Sequence, residues 1–443
     1  MKVLTISVFV IVAVAARAED PYSQALAYLS QEHAHPTPQV RPLTLPELEA
    51  GALSANPELK LFSQRIAVRD AQVPGAGALD DPSLMYRGWG VPVSRPWDFN
   101  QAQNMFMYIQ TLPGPGKRAL RSLIAAQQKG ITEAELEAKK REVIARVRTA
   151  FYELLRSYDE LRLHEQQAAL ARQALESARI KYTVGRVPQQ DVLKAQIGLS
   201  KLLEHLLMFQ QEGELARATL NSLMGRDPAS PLEVTGTYDQ PTRLPVLADL
   251  KPIALRSRPE LTMISAAIQQ AETKANLAQK SYTPDFSVSG GYMLMPSGSP
   301  SRNAFMGEVS ITLPWLNRSK HDAEIASAQA ELAALQAEYQ LVKANVLHEV
   351  RDALIRAGTA LRMVGLYRDT LRPQTQTTLK ATVAAYQTER TDFLNLLDSQ
   401  NVMLDVEYAY YRALSEYEQH VSELERSLGS SLRDPAIPPE VLQ

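Results

Sequence analysis

Between Arg141 and Gln196 the apolar residues keep one period. Val147, Leu154, Leu161, Ala168, Leu175 and Tyr182 fall seven apart, and Val143, Ala150, Ala171 and Ala178 sit four residues before members of that series. A seam repeating every seven residues on a helix supercoils against a partner helix rather than facing a globular core. At KYTVGRVPQQDVLKAQ (Lys181 to Gln196) the pattern stops and restarts. Gly185 suits the left-handed residue that follows a helix, and Pro188 the first turn of the next one. The pattern predicts a helix from Lys117 to Val184, on the order of 100 Å long, then an exposed tip, then a return helix from Pro188 to Met224.

Upstream, Thr44-Leu-Pro-Glu47 forms a capping box with an early proline and starts a helix to about Gln72. Asp80-Asp81-Pro82 stops it. Ser83 to Val93 and Gln103 to Leu112 read as strands of the roughly 9–11 residues that a tilted membrane strand needs. Residues 225–250, rich in proline and glycine, form a linker. Then the order repeats. Asn56-Pro-Glu-Leu59 matches Arg258-Pro-Glu-Leu261, Pro82 matches Pro284, and Thr111-Leu-Pro113 matches Thr312-Leu-Pro314. Val147-Arg148 matches Val350-Arg351, Tyr182 matches Tyr386, and Ala195-Gln196 matches Ser399-Gln400. All six offsets lie between 201 and 204 residues, so the chain is an internal duplication. The expected organisation is a signal peptide at 1–18, an extended leader at 19–43, a first repeat at 44–224 with its β-hairpin at 83–112, the linker, a second repeat at 251–427 with its β-hairpin at 285–313, and a tail at 428–443.

The second hairpin shows its chemistry plainly. Phe286, Val288, Tyr292 and Leu294 alternate with Ser287, Ser289 and Gly291, and Phe305, Val309, Ile311 and Leu313 with Glu308, Ser310 and Thr312. Apolar on one face and polar on the other is the pattern of a barrel strand between lipid and a wet lumen. The first hairpin alternates poorly, with Arg87 and Trp89 on its less obvious face. Four strands cannot close a barrel, and an open edge in lipid leaves backbone groups unpaired. Several copies of the chain must therefore share one barrel. The fold class expected is mainly α with a β-barrel portion: duplicated long helical hairpins plus two β-hairpins per chain.

Composition adds an address. Lys2, the apolar run Val3 to Ala15 and Ala16-Arg17-Ala18 read as an export signal, too short and badly flanked to span a membrane. Its removal takes two positive charges from a chain of formal charge −2, leaving about −4. That balance gives no case for nucleic-acid binding. The absence of cysteine excludes a disulfide frame, a thiolate metal site and a lipid carried on an N-terminal cysteine.

These features together resemble the TolC-like outer-membrane efflux family. The resemblance spans about 45 to 425 and rests on TLPELEAGALSANPEL and RSRPEL, the TLPGPGKR junction, YTVGRVPQQDVLKAQ and the duplication. It implies a homotrimer with a twelve-stranded barrel in outer-membrane lipid, continuous with a twelve-helix α-barrel across the periplasm. It also implies partners: a periplasmic adaptor (membrane fusion) protein and an inner-membrane pump. In the family the tips facing the inner membrane dock the adaptor and constrict the closed tunnel. Carried over, the first tip is Tyr182, Gly185, Arg186, Val187, Pro188 and Asp191. The second is Tyr386, Glu389, Arg390, Thr391, Asp392 and Asn395. Asp191, repeated by threefold symmetry, would make an acidic ring, or would simply cap the return helix. The second tip departs from the pattern, with Glu389 where the first copy has Gly185, so a less sharp turn is expected. Pro373 should kink the second long helix or lie at a bulge.

No catalytic set is visible: no HExxH, P-loop or GxSxG, and no cofactor motif. The chain reads as a passive conduit and not an enzyme. Other readings are the exit duct of a type I protein-secretion system and a structural periplasmic coiled-coil protein. His164, at seam spacing, reads as a register residue, and His33 and His35 on the leader as incidental. Six of the twelve methionines, Met85, Met105, Met107, Met293, Met295 and Met306, lie in the two hairpins. Met293, Met295 and Met306 have the parity of the lumen-facing set, and thioethers suit Cu(I) and Ag(I). The GPGKR junction is similar to that of heavy-metal efflux members.

Overall fold

The computed structural model describes residues 41–239, 244–388 and 390–432. The signal segment, most of the leader with His33 and His35, Glu389, and the tail from 433 lie outside them. The chain opens with α1 (Leu45–Ala55) and α2 (Pro57–Ala76). The single helix expected here divides at Asn56, because Pro57 cannot donate a backbone N–H and suits a helix start. The Asn56 side chain caps α2, accepting from Glu58 N at 2.9 Å and Leu59 N at 3.2 Å, and donates to Leu223 O at 2.9 Å. The second half repeats the break between α5 (Leu247–Ser257) and α6 (Pro259–Gln279). There the cap position is a buried arginine, Arg258, which donates to Arg426 O and pairs with Glu260 and Glu349.

Two long hairpins follow the same plan. The first is α3 (Lys117–Thr183) and α4 (Gln189–Leu223). The second is α7 (Arg318–Leu366), a π-helical turn at Tyr367–Leu371, α8 (Arg372–Gln387) and α9 (Phe393–Leu428). The π turn ends two residues before Pro373: the ring cannot accept an unbroken ladder, and the extra residue takes up the mismatch as a bulge. Val147 and Val350, equivalent by the duplication, are both buried and sit in separate cores. One core joins Leu48, Phe151, Leu154 and Leu220; the other joins Leu250, Val346, Leu424 and Leu428. Each fully buried leucine or phenylalanine contributes about 1.5–3 kcal/mol. Nearer the tips, the seam residues Ala168, Leu175 and Ala178 pack with Ala195 and Leu199 of α4 and with Leu404 and Tyr408 of α9. The return helix of the second copy therefore covers the seam of the first.

At the other end, β1 (Ser83–Trp89), β2 (Gln103–Leu112), β3 (Phe286–Leu294) and β4 (Asn303–Ile311) form one antiparallel sheet in the order β1-β2-β3-β4. β1 stops short of the expected Val93, where Gly90 turns at a φ of +69° and Pro92 follows. Residues directly opposite in an antiparallel sheet share a face, so the register sorts the side chains. Leu84, Tyr108 and Gly290 lie in one row, and Tyr86, Phe106, Tyr292 and Phe305 in the next. Val288 pairs with Val309, and Phe286 with Ile311, on that same face. It stands out from the chain, with Leu84 79% and Phe305 90% exposed. The opposite face carries Ser83, Arg87, Gln103, Thr111, Ser287, Ser289, Glu308 and Ser310. The outer face is apolar apart from Asn104, Gln110 and Asn303, while the inner one mixes its serine, threonine, glutamine and charged side chains with Trp89, Ile109 and five methionines, which fits a barrel wall between lipid and a wet lumen. Among the described residues no helix is long and apolar enough to cross a membrane, and β1 and β4 each leave one edge unpaired within the chain.

The paired hairpin tips as a candidate docking and gating site

The first tip closes as its sequence dictates. Gly185 takes a φ of +75°, which a residue with a Cβ adopts only at a cost. Its N–H donates to Tyr182 O at 2.9 Å, and Arg186 N reaches back to Lys181 O at 2.8 Å. These bonds satisfy the last carbonyls of α3. Pro188 is extended and precedes α4 as its N-cap residue. Tyr182, Gly185, Arg186 and Pro188 are exposed, and Val187 is half-buried.

The second tip repeats the bonding. Thr388 N donates to Ala384 O at 3.2 Å, and Arg390 N to Ala385 O at 2.8 Å. This is the five-residue span of Arg186 to Lys181. Glu389 itself lies outside the described residues. Asp392 caps α9, its carboxylate accepting from Asn395 N at 2.9 Å, and the Asn395 amide donates to Thr391 Oγ1 at 3.2 Å.

The structure brings the two tips together. Lys181 Nζ sits 3.8 Å from the centroid of the half-buried Tyr386 ring, a cation–π contact between residues of different repeats. Asp191 differs from its counterpart Asp392. It lies in the first turn of α4, is only 7% exposed, and α4 has no side-chain cap hydrogen bond. Burial raises its pKa above the usual carboxylate range, the nearby Asp392 charge adds to the rise, and Lys194 opposes it. Two carboxylates from opposite repeats thus sit within electrostatic reach at the tips of the helical hairpins.

Above the tips, a groove of about 390 Å³ separates the first hairpin from α9, lined by Gln167, Lys194, Gly198, Lys201, Leu397 and Asp405 among others. Ile180, Val184, Leu193 and Ile197 stand exposed around the first tip. The seam pattern pointed away from them, and the signal that could have found them was their apolar character off the seam.

Farther from the tips lies a buried polar group on α3. Glu160 is fully buried and accepts from Arg156 at 3.1 Å, while Arg156 also pairs with Glu212 at 2.8 Å. Burial pushes the Glu160 carboxyl up to about 7, and Arg156 holds the rise back. One turn on, His164 is buried and its pKa falls to about 4, through burial first and then the charge of His205. His164 is thus a neutral buried residue of the seam. Among the described residues no group of three or more His, Asp or Glu side chains could hold a metal ion. Of the methionines with lumen parity, Met293 and Met306 lie on the inner face of the sheet and Met295 follows the end of β3.

This arrangement has relatives. The protein is 21% identical to the cobalt-zinc-cadmium resistance protein CzcC of Cupriavidus metallidurans, over 71% of this chain and 74% of that one. Its fold is that of the outer-membrane channel OprN (TM-score 0.72, 20% identity, 87% of this chain and 90% of that one). It is also that of the outer membrane protein VceC of Vibrio cholerae (TM-score 0.72, 19% identity, 88% and 97%). The sequence model of the outer membrane efflux protein family matches residues 50–226 and 250–430, one stretch in each half of the duplication, and the chain belongs to that family of outer-membrane channels.

Proposed function

We propose that the protein is the outer-membrane exit duct of a tripartite efflux system, a passive conduit that takes its cargo from a periplasmic adaptor and an inner-membrane pump. The observation that carries this reading is the four-stranded sheet, with an apolar outer face, all of its charged, serine and threonine side chains on the inner one, and both edges open. Unpaired strand edges cannot face lipid, so further copies complete the wall, and three copies give twelve strands. The same sheet disfavours a soluble coiled-coil spacer. The long hairpins extend the conduit into the periplasm and present their tips to the adaptor, with the exposed Ile180, Val184, Leu193 and Ile197 as apolar docking surface. The conduit opens when the two tips of each chain part, breaking the contact of Lys181 with Tyr386. The cargo is small molecules, metal cations among them; the likeness to a metal-resistance protein supports the latter.

The test is a lock on the tips. The chain has no cysteine, so Lys181→Cys with Tyr386→Cys gives one clean pair for a bis-maleimide cross-linker. Reconstituted in planar bilayers, the double variant should conduct before cross-linking and lose its high-conductance openings afterwards. Undiminished openings after complete cross-linking would refute tip parting, and the lack of any ion-conducting channel would refute the duct.

A further inference from the structure

The four strands hold two charged side chains of opposite sign, Arg87 on β1 and Glu308 on β4, and β2 and β3 hold none. The register places both on the inner face of the sheet. They stand on its two edge strands, three strand spacings or about 14 Å apart across the sheet. Both are exposed. Among the described residues neither forms an ion pair within the chain, and the Arg87 guanidinium turns to the Met85 sulfur at 4.0 Å. A solvated charge could stand anywhere on a wet inner face. These two stand on the strands that a neighbouring copy must join.

We propose that Arg87 of each copy pairs with Glu308 of the partner subunit, and that this ion pair sets the register in which copies join, a proposal that rests on the shared-barrel reading. β1 and β4 run antiparallel, and each leaves one edge unpaired, so β4 of one copy meets β1 of the next. Residues directly opposite on neighbouring strands have Cβ atoms about 4.5–5.5 Å apart, and opposite charges there attract while like charges repel. With Glu308 opposite Arg87, Trp89 lies against Met306 and Ser83 against Thr312, so all of β1 finds a partner. On the lipid face Tyr86 then meets Val309 and Leu84 meets Ile311, apolar against apolar.

Closure of the barrel favours the same register. Within one chain Arg87 is level with Ala304, across Met105 and Met293, and Ala304 lies four residues before Glu308. Each row therefore climbs about four residues per copy, away from the helices, and about twelve round three copies. A shear equal to the strand number tilts the strands by about 36°, within the roughly 35–45° of membrane barrels. Joining copies level, with Arg87 against Ala304, would leave the strands upright. The direction of the climb also fits. Thr312 N donates to Asp285 O and Met295 N to Arg302 O, both at 2.9 Å, so inner-face residues form the hydrogen-bonded pairs of β3 and β4. For L-residues on a β3 that runs away from the helices, this puts β4 to its left seen from outside. In a right-handed barrel, rows going left rise away from the helices, as the pairing of Arg87 with Glu308 requires.

The chain has no cysteine, so Arg87→Cys with Glu308→Cys reports on the seam alone. Oxidised in outer-membrane fractions, this pair should link copies into covalent dimers and trimers on denaturing, non-reducing gels. Arg87→Cys with Ala304→Cys should stay monomeric. Cross-linking of the second pair as strong as that of the first, or of neither, overturns the register. Charge reversal tests the ion pair itself. Arg87→Glu and Glu308→Arg each set like charges at every seam and should lower the temperature at which trimers dissociate by several degrees, and the double reversal should recover most of that loss. Losses that add in the double variant overturn the pairing; where a single reversal blocks assembly, its rescue by the second is the same readout. Conductance of the wild type in planar bilayers separates the two readings. A conducting channel without the cross-link between positions 87 and 308 overturns this inference alone, and a wild type that never conducts overturns the shared barrel.

Discussion

Gly291→Ala should break the seam between the two repeats' β-hairpins, and its neighbour supplies the control. At Gly291 an added Cβ would overlap the carbonyl oxygen of Phe106 and lie 2.9 Å from Met107 Cγ and 3.0 Å from Met107 Cα. Carbon atoms in ordinary contact stand about 3.5–4.0 Å apart, so β2 and β3 must separate by roughly 0.5–1 Å there. Two of the neighbours are backbone atoms, which no rotamer change can move. Overpacking of this kind costs about 1–3 kcal/mol. One or two stretched ladder bonds add about 1 kcal/mol each, for a total of about 2–5 kcal/mol per chain. At Gly290, one residue away and on the lipid face, the nearest atom to a new Cβ is Met306 O at 4.0 Å. Gly290→Ala should therefore be benign. The assay is the temperature at which outer-membrane samples lose their folded, fast-migrating form on semi-native gels. The expected order is wild type equal to Gly290→Ala, with Gly291→Ala well below both. Loss at one common temperature would refute the register on which the assignment of both faces depends.

Two further predictions concern the helical domain. Asp191→Ala should reduce the cation preference of the single channel and flatten its dependence on pH. The pKa of Asp191 is raised, so the packed tips are favoured while it is protonated, and repulsion against Asp392 grows as pH rises through that value; unchanged conductance and selectivity would remove Asp191 as a gate. The buried pair on α3 should give opposing linkages. Glu160, raised from 4.5 to about 7, stabilises the fold below pH 4.5 and loses that contribution as pH rises to 7, on the order of 3 kcal/mol. His164, lowered from 6.5 to about 4, stabilises the fold above pH 6.5 and loses a similar amount as pH falls to 4. The two nearly cancel in the wild type, so Glu160→Gln should make stability climb between pH 4.5 and 6.5 in denaturant titrations followed by helical circular dichroism. A variant with the wild-type profile would show that these groups do not govern it.

Much of this architecture was legible because its periods are clean. The seam from Val147 to Leu175 is a seven-residue repeat, and burial follows it, with Leu161 half-buried, until Tyr182, where the hairpin runs out of partner and the ring is exposed. Gly185 announced its turn for a backbone reason that holds in isolation. The first β-hairpin was obscure for an equally physical reason. Its inner face carries Met85, Met105, Met107 and Ile109, so both faces read as apolar and the alternation vanishes until the register is known. The break at Asn56 was written in the sequence, as a capping residue before a proline, but was hidden by the helical pattern on either side. The contact of Lys181 with Tyr386 could not be read at all. It joins residues some two hundred positions apart, and no local period reports on such a pair.

The duplication makes the two hairpins alike in plan but unequal in rigidity, and the inequality bears on which of them moves. In the first, α3 runs unbroken for 67 residues and α4 buries Asp191, Ala195, Leu199 and Leu202 near its tip. In the second, the outgoing helix is interrupted at Tyr367–Leu371, and α8 beyond it buries no residue within the chain. What holds the start of α8 is polar: the Arg372 guanidinium bonds to Glu407 of α9 at 3.0 Å and lies 4.2 Å from the Tyr410 ring centroid. The face of α8 is only half-buried, with Tyr386 against the tip core, so it has less to lose by shifting than the fully buried seam of α3, and a π turn at its root offers a place to bend without breaking further ladder bonds. If the tips part as proposed, the motion that costs least is a swing of α8 and the start of α9 about the π turn while α3 and α4 stay fixed. In such a motion Lys181 and Asp191 stand on the static side of the gate, and Tyr386 and Asp392 on the moving side.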